Sequence, residues 1–275
     1  MHERIKKFSI FSFIVAIIII LYAFFIERFY LKVNEYEISA SFNYDAILIS
    51  DLHLGKWKNE DFLEKVVKQI NIQIDKNAIK SVFIAGDFTY HLQNIDDLDT
   101  LFKPLSLIKV PVYAVLGNHD EERPGPKLAD KLKIVLEKNK VFVIEQKLFT
   151  LPNTDIKILG LGDNWAGKDD ISPFLPKLFT KKSENKNFLI LAHNPDTTFY
   201  FPKNTQAITL TGHTHGGQIR IPWLYKKIIP TTGDFDSGLL NTEKGQIFTT
   251  SGLGEVGLPL RLFIPPEIAV LHFNK

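Results

Sequence analysis

Cysteine is absent from this chain of 275 residues, and its charges nearly balance, giving a formal net charge of +2. Without cysteine there are no disulfide bonds and no thiolate ligands, so a metal ion would have to be bound by nitrogen and oxygen atoms. The small net charge gives no indication of binding to nucleic acid through a broad basic surface, and we expect no nucleic-acid partner. Internal repeats, low-complexity tracts and interdomain linkers are also missing, which favours one folded domain after the N-terminal segment.

The N-terminal segment differs from the rest of the chain, because no charged residue occurs from Phe8 to Ile26. A helix that rises ~1.5 Å per residue needs roughly 20 such residues to cross the apolar core of a bilayer, and this run just reaches that length. Aromatic residues cluster towards its C-terminal end, where they favour the membrane interface. We therefore predict a transmembrane helix, with residues 1–41 as membrane anchor and connector and a single domain at 42–275.

A cleaved signal peptide or a buried core helix would also contain an apolar run. This run exceeds the usual apolar region of a signal peptide, about 7–15 residues, and the small residues at 39–41 lie too far downstream to be its cleavage site. A core helix is rarely apolar on all sides. An uncleaved, single-pass anchor in the cell membrane is therefore expected. Three basic residues before the run against two after it favour a cytoplasmic N-terminus and an exported domain.

After the anchor, short apolar runs alternate with amphipathic stretches. This alternation predicts an α/β fold with additional antiparallel strands late in the chain. The predicted helices span residues 60–74, 95–108 with a bend near Pro104, 127–139 and 172–181. The predicted strands span residues 46–50, 81–85, 112–116, 141–144, 156–161, 188–192, 207–211, 219–221, 246–250 and 267–273.

Five of these strands are followed directly by side chains that can bind metal ions. In chain order they are Asp51 and His53, Asp87, Asn118 with His119 and Asp120, His193, and His213 with His215. Ligands bind at the C-terminal ends of the strands in open α/β sheets. One histidine after a strand is weak evidence for a metal site, but five motifs that each follow a strand end predict a shared site. Four other positions are interpreted as structural or surface residues, or as a turn: His2, His91, His272 and Asp163-Asn164.

The pattern within the motifs predicts how these side chains converge. An extended backbone would place both side chains of Asp51-x-His53 on one side, and likewise those of His213-x-His215. The candidate metal ligands are Asp51, His53, Asp87, Asn118, His193, His213 and His215. They are too many for one ion and suit two ions that share a carboxylate. Mixed imidazole and oxygen donors predict two divalent ions, with manganese expected first and iron or zinc as alternatives.

The chain resembles the calcineurin-like metallophosphoesterase superfamily in five motifs, which occur in order from about residue 45 to 216. The motifs are Asp51-x-His53, Gly86-Asp87, Gly117-Asn118-His119-Asp120, His193 and Gly212-His213-Thr214-His215. Later segments, among them Gly252-Leu253-Gly254 and Pro265-Pro266-Glu267, resemble a bacterial branch with an N-terminal membrane anchor or export signal. That branch is similar to phosphodiesterases and to pyrophosphatases that act on UDP-2,3-diacylglucosamine.

The resemblance implies a four-layer αββα sandwich of two mixed sheets, with two metal ions at the strand ends. One ion would be held by Asp51, His53 and His215, and the other by Asn118, His193 and His213. Asp87 would bridge the two ions, and a metal-bridging hydroxide would attack phosphorus. His119 would be the catalytic residue rather than a ligand, because it would stabilise the transition state or protonate the leaving oxygen.

Some positions leave alternatives open. Many members of the superfamily carry a second acid three residues after the Gly-Asp aspartate, which can orient the histidine at the position of His119, but Tyr90 stands there in this chain. Asp120 could take the orienting role, or no group does. Arg220 and Arg261 could contact phosphate through their guanidinium groups or form ordinary surface pairs.

Three functions are compatible with the sequence. The first is hydrolysis of a phosphodiester or pyrophosphate bond in a lipid-linked substrate. It is supported by the anchor and by the apolar and basic stretch 221–229, which could lie at a membrane interface or be a partly buried loop. The second is hydrolysis of soluble nucleotides by an enzyme tethered only for location. The third is a non-catalytic scaffold, which predicts lost ligands, whereas every motif retains its ligand residues.

Overall fold

Two mixed β-sheets lie face to face, with helices against their outer surfaces. The computed structural model describes residues 2–92, 94–121, 127–178, 188–203 and 205–275. Within these residues the α-helices are α1 (His2–Phe25), α2 (Glu60–Asn77), α3 (Leu98–Phe102), α4 (Ala129–Lys138) and α5 (Leu175–Leu178). The strands are β1 (Lys32–Ser39), β2 (Tyr44–Ile49), β3 (Leu54–Gly55), β4 (Ser81–Ala85), β5 (Thr89–Tyr90), β6 (Val112–Val115), β7 (Val141–Val143), β8 (Lys147–Thr150), β9 (Lys157–Gly160), β10 (Phe188–Leu191), β11 (Ala207–Thr211), β12 (Gly238–Thr242), β13 (Gly245–Thr249) and β14 (Glu267–Asn274).

The two large sheets bring the relevant strand ends together. The first sheet has the order β1-β14-β2-β4-β6-β7, and the second has the order β12-β13-β11-β10-β9-β8. Neighbours are parallel except β14 with β2, β12 with β13 and β8 with β9. The C-terminal ends of β2, β4 and β6 therefore share one edge of the first sheet, and those of β10 and β11 share one edge of the second.

Three apolar layers hold the sandwich together, because successive side chains of a strand point to opposite faces. In β2, Ile47 packs in the layer formed with α2, α3 and α4, whereas Leu48 packs between the two sheets. In β10, Leu189 joins the layer between the sheets, and Ile190 packs with Leu178 of α5 on the outer side. These contacts confirm the predicted four-layer αββα sandwich.

Several predicted elements differ from the structure in detail. The stretch 95–108 is interrupted as expected, since Pro104 lies in a 3-10 turn at Lys103–Leu107 that follows α3. The strand predicted at 219–221 is wrong: Ile219 makes an isolated bridge to Leu262, because the backbone turns both before and after it. Residues 179–181 of the helix predicted over 172–181 lie outside the described residues. The segment interpreted as a connector contains β1, which pairs with β14 along its whole length.

Helix α1 projects from the sandwich with nearly all of its side chains exposed. Among the described residues, one candidate membrane span was found, over Glu3–Phe29, with a mean hydropathy of 2.9. Its length and composition suit a membrane-spanning helix, and they suit a signal sequence as well.

The C-terminal end of α1 is held against the loop of residues 251–264, which we call the 251–264 loop. The backbone N–H of Arg261 donates to the carbonyl oxygen of Ala23 at 3.3 Å, and that of Ile264 donates to Glu27 Oε1 at 2.7 Å. The guanidinium group of Arg28 lies 3.2 Å from Glu255 Oε2. These buried contacts fix the direction of α1 relative to the sandwich.

Candidate metal centre

All of the predicted ligands lie just beyond strand ends and are buried. Asp51 and His53 follow β2, Asp87 follows β4 and Asn118 follows β6 in the first sheet. His193 follows β10 of the second sheet, and the remaining two histidines follow β11 of the same sheet. The site therefore lies where the edges of the two sheets meet, at the place that the sequence pattern predicts.

The backbone at these positions is left-handed rather than extended. The φ angles are 52° at Asp51, 45° at His53, 55° at Asp87, 70° at His213 and 53° at His215. The expectation that the paired side chains converge from an extended segment was wrong. Non-glycine residues rarely adopt such angles, which cost on the order of 1–3 kcal/mol each, and such strain is concentrated at functional sites.

One cluster is formed by Asp51, His53 and His215, whose nearest ligand atoms all lie within 4.8 Å of one another. Asp51 Oδ1 is 3.5 Å from Nε2 of His215 and 3.8 Å from Nε2 of His53. The two imidazole Nε2 atoms are 3.2 Å apart. Three ligand atoms are thus directed at one small volume.

A second cluster is formed by Asp87, His193 and His213, again with ligand atoms within 4.8 Å of one another. His193 Nε2 lies 3.1 Å from His213 Nδ1 and 3.0 Å from the side-chain oxygen of Asn118. The amide oxygen of Asn118 is therefore directed at the same volume as these two imidazoles.

The carboxylate of Asp87 lies between the two clusters. Its Oδ2 atom is 3.4 Å from Nε2 of His53 and 3.3 Å from Nε2 of His193. Its Oδ1 atom accepts a hydrogen bond from the backbone N–H of His119 at 2.9 Å, which fixes the rotation of the carboxylate. One oxygen of Asp87 is thus equally close to a histidine of each cluster.

The orientation of two rings is set by backbone carbonyls behind the site. Nδ1 of His193 lies 2.7 Å from the carbonyl oxygen of Ala85, and Nδ1 of His53 lies 3.4 Å from that of Thr89. When Nδ1–H donates a hydrogen bond to a carbonyl oxygen, the Nε2 lone pair is free for a metal ion, an arrangement that is common for metal-bound histidine.

The donor set fits divalent metal ions on several observations. Within the described residues, the buried Asp51 Oδ1 atom has no hydrogen-bond partner. Burial lowers the pKa of His213 and of His215 to about 3, so both rings are neutral and offer lone pairs. Burial opposes a charge on His193, but Asp87 and Asp51 nevertheless raise its pKa to about 10. Buried carboxylates of this kind need positive charge close by, which metal ions supply.

His119 lies at the border of the two clusters, with a ring nitrogen within 4.8 Å of ligand atoms of His53 and Asp87. Its ring packs edge-to-face against Tyr90, with centroids 5.2 Å apart, and against His53, with centroids 4.9 Å apart. The Tyr90 hydroxyl in turn accepts a hydrogen bond from the backbone N–H of Gly257 at 2.9 Å. Tyr90 is thus a wall of the site that positions the His119 ring by packing.

Asp120 is directed at the backbone and not at His119. Its buried carboxylate accepts hydrogen bonds from the N–H groups of Phe88, Thr89 and Gly117 and from the Thr89 hydroxyl. Burial raises the pKa of Asp120 to about 7, with a further contribution from Asp87. The orienting role that the sequence left open for Asp120 is therefore not observed; this side chain joins the loops after β4 and β6.

The 251–264 loop supports the first cluster from behind, which the sequence did not predict. A Cβ atom on Gly254 would lie 2.6 Å from Cβ of His53, and one on Gly252 would lie 2.8 Å from Cβ of Asp51. Side chains at these glycines would therefore displace both residues. This close approach explains the Gly-Leu-Gly segment, for which the sequence alone offered only a family resemblance.

Both arginines that could contact phosphate are bonded to groups of the protein itself. Arg261 is fully buried and donates to the carbonyl oxygens of Ser251, Gly254 and Ile264. Arg220 lies 2.7 Å from Asp236 and is otherwise bonded within its own loop. Arg261 is a structural residue of the 251–264 loop rather than a phosphate contact or a surface pair.

Replacing Arg261 with lysine is expected to destabilise the fold by about 2–4 kcal/mol, because an ammonium group cannot reach three buried carbonyls in the planar geometry of a guanidinium. Chemical denaturation measures this loss, and metal titration should show weaker binding because the loop shifts behind Asp51 and His53. The matched variant Arg220→Lys, at a partly exposed pair, should cost less than about 1 kcal/mol. Equal stability losses in both variants would contradict this role of Arg261.

A cavity of about 410 Å³ opens beside the two clusters. Asp87, Asn118 and His119 line its polar end. The apolar part of the lining includes Trp165, which packs edge-to-face on His213 with ring centroids 4.7 Å apart, and Ile228, Ile229, Pro230 and Leu258. These residues come from loops far apart in sequence, so their spacing gave no signal of a common wall.

The turn expected at Asp163-Asn164 is confirmed. Asp163 accepts a hydrogen bond from the backbone N–H of Ala166 at 2.8 Å. His272 is held by a contact of 2.7 Å with Asp45, on a strand pair remote from the cavity, in line with a structural role.

Comparison with known proteins identifies a family. The family model for calcineurin-like phosphoesterase matches residues 46–217. The chain is 30% identical to the UDP-2,3-diacylglucosamine pyrophosphatase LpxG of Chlamydia muridarum, with 82% of each protein covered. It is 27% identical to phosphodiesterase YaeI of Escherichia coli K12, over 83% of this chain and 82% of that protein.

Some relatives are longer proteins. The uncharacterized metallophosphoesterase Cj0846 of Campylobacter jejuni is 30% identical over 83% of this chain, and the match spans 58% of its own length. Uncharacterized metallophosphoesterases of Helicobacter pylori are likewise matched over 58% of their length.

Proposed function

Because this chain belongs to the calcineurin-like phosphoesterase family, we propose that it is a metal-dependent hydrolase that cleaves a phosphodiester or pyrophosphate bond with two divalent metal ions. The observation that carries the proposal is the position of Asp87 Oδ2, which lies 3.4 Å from His53 Nε2 and 3.3 Å from His193 Nε2. One carboxylate oxygen between two sets of ligand atoms suits a bridge between two ions.

We propose that one ion is held by Asp51, His53 and His215, the other by Asn118, His193 and His213, and that Asp87 contributes to both. Imidazole nitrogens outnumber the oxygen donors in this set, which favours manganese, iron or zinc over magnesium. Of these three metals, we propose manganese as the ion that the site binds. When bound, the ions supply an activated water and neutralise charge on the phosphoryl oxygens.

The protein's own residues contribute positioning and hydrogen bonds. Left-handed backbone angles and the carbonyls of Ala85 and Thr89 hold the ligand atoms in place before substrate binds. Burial lowers the pKa of His119 to about 4, so its ring is neutral at neutral pH. We infer that it donates an N–H hydrogen bond to a phosphoryl oxygen, which strengthens as charge develops there in the transition state.

A lipid-linked phosphodiester or pyrophosphate is the proposed substrate class. The apolar wall of the cavity suits an acyl or other apolar group next to the polar end, where the phosphorus would lie. The relative LpxG is named for a pyrophosphate substrate with two acyl groups, and this supports the same class. Helix α1, as a single-pass anchor in the cell membrane with the domain on the exported side, would keep the site near such a substrate. Soluble nucleotides are the alternative class.

The test uses the full chain in nanodiscs after removal of metal with a chelator. Turnover of bis(p-nitrophenyl) phosphate, of a cyclic nucleotide and of UDP-2,3-diacylglucosamine is measured before and after addition of manganese. We expect manganese to restore activity, with the highest kcat/KM on the acylated substrate. Absence of turnover on every substrate, with two equivalents of metal bound, would refute the enzymatic proposal. Preference for the cyclic nucleotide would refute the lipid-linked class alone.

A further inference from the structure

Large apolar side chains are exposed on the loops that border the metal cavity. Trp223 is 86% exposed, Phe263 is 63% exposed and Leu258 is 61% exposed. Trp223 has a φ angle of 64°, a conformation that is unfavourable for a bulky aromatic residue. Soluble surfaces rarely gather such side chains in one place, and contiguous apolar patches commonly mark interaction sites. We call residues 221–230, Leu258 and Phe263 the mouth patch.

Hydrogen bonds show that the parts of the mouth patch are neighbours. Gln218 donates through its side chain to the carbonyl oxygens of Val256 and Leu258, each at 3.0 Å. The backbone N–H of Arg220 donates to the carbonyl oxygen of Leu262 at 2.8 Å. The segment 221–230 therefore begins next to Leu258 and Phe263, although both residues lie about 30 or more positions further along the chain.

The mouth patch lies next to the end of helix α1. Leu262, which bonds to Arg220, lies between the two residues that hold the helix, since Arg261 bonds to Ala23 and Ile264 bonds to Glu27. Glu27 and Arg28 are buried against this loop, so the helix end is rigidly joined to the patch. If α1 crosses a bilayer, its C-terminal end lies near the membrane surface, and the patch must lie near that surface too.

The chemistry of the segment suits a lipid surface. Residues 221–230 contain no acidic residue, and the segment includes two exposed lysines, Lys226 and Lys227. Exposed tryptophan and aliphatic side chains favour the region between headgroups and acyl chains, and lysines favour anionic headgroups. Ile228 and Leu258 belong to the patch and also line the cavity, so the two surfaces are continuous.

We propose that the mouth patch rests on the lipid bilayer and holds the opening of the metal cavity against it. This inference rests on the proposed membrane anchor, but it adds a second contact with the membrane, one made by the catalytic domain itself. The patch fixes which way the cavity faces. A substrate that remains in the membrane would then reach the metal ions without leaving the bilayer surface.

The absence of cysteine provides a direct test, because one introduced cysteine can carry a nitroxide label at a unique position. The variants Trp223→Cys, Phe263→Cys, Ile134→Cys and Ile14→Cys are made in the full chain and placed in nanodiscs that contain anionic lipid. Ile134, on α4, is 68% exposed and serves as a matched control away from the patch. Ile14, within α1, reports on the anchor. Electron paramagnetic resonance then measures collision of each label with oxygen, which partitions into lipid, and with a water-soluble nickel complex.

Labels at Trp223 and Phe263 are expected to show an oxygen-to-nickel accessibility ratio several-fold above that of Ile134. High nickel access at both positions, equal to that at Ile134, would overturn the proposal by placing the patch in water. Low access to both reagents would overturn it by indicating a protein partner. A label at Ile14 that is exposed to water would show that α1 does not cross the bilayer, and the premise of this proposal would be wrong. Absence of turnover in the enzyme assay would not change the accessibility measured at these labels, so the two proposals can fail separately.

Discussion

Asp87→Ala is expected to remove both metal ions and to lower kcat/KM by roughly 10³-fold or more, since metal ions contribute several kcal/mol of transition-state stabilisation. The Asp87 Oδ2 atom lies within 3.4 Å of a histidine nitrogen in each cluster. Loss of this one carboxylate therefore removes a ligand from both proposed sites and leaves His53 and His193 without the acid that lies between them. Elemental analysis of the purified protein measures bound metal, and steady-state kinetics measures the rate.

Asp163→Ala is the matched control for loss of a buried acid. Asp163 is fully buried, and burial raises its pKa to about 6, but it bonds to the Ala166 backbone and lies outside both ligand clusters. We expect this variant to keep two metal ions even if its stability falls. Retention of one ion at full affinity in Asp87→Ala would show that the carboxylate serves a single ion, and the shared-ligand assignment would be wrong.

The positions of strands along the chain could be predicted where both faces of a strand are buried. The central strands β2, β4, β6, β10 and β11 are mostly apolar, and each was predicted to within two residues of its ends. The strands of the two large sheets that were not predicted, β1, β8 and β12, all lie at sheet edges, where exposed positions interrupt the apolar pattern. An edge strand such as Lys32–Ser39 resembles a polar connector in sequence. It is recognised as a strand only from its pairing with β14.

The location of the candidate site was predictable, but its internal geometry was not. The local sequence pattern predicts that Asp51 and His53 lie at a strand end. Their positive φ angles accompany hydrogen bonds to the backbone that follows β4: the N–H of Asp51 donates to the carbonyl oxygen of Gly86, and the N–H of His53 donates to that of Asp87. The contribution of Arg261 was also hidden, since nothing near it in sequence shows that it is buried. Tertiary contacts decide these features, and they are not encoded in local periodicity.

His119→Ala is expected to retain both metal ions while kcat falls by roughly 10²–10³-fold, the usual cost of removing one hydrogen-bond donor to transition-state charge. The ring packs between Tyr90 and His53, and its backbone N–H rather than its side chain donates to Asp87. Loss of the ring therefore leaves the proposed ligand atoms in place. His272→Ala is the control, since this histidine bonds to Asp45 away from the cavity and should change neither metal content nor rate.

The leaving group distinguishes the two roles that the sequence left open for His119. A neutral ring that donates a hydrogen bond to a phosphoryl oxygen should produce a similar deficit in His119→Ala for p-nitrophenyl and alkyl phosphodiesters. A ring that protonates the leaving oxygen should matter far more for the alkyl ester, because p-nitrophenolate leaves without a proton. A much larger deficit for the alkyl substrate would therefore assign proton transfer to His119, and loss of metal in the variant would instead place its ring among the ligands.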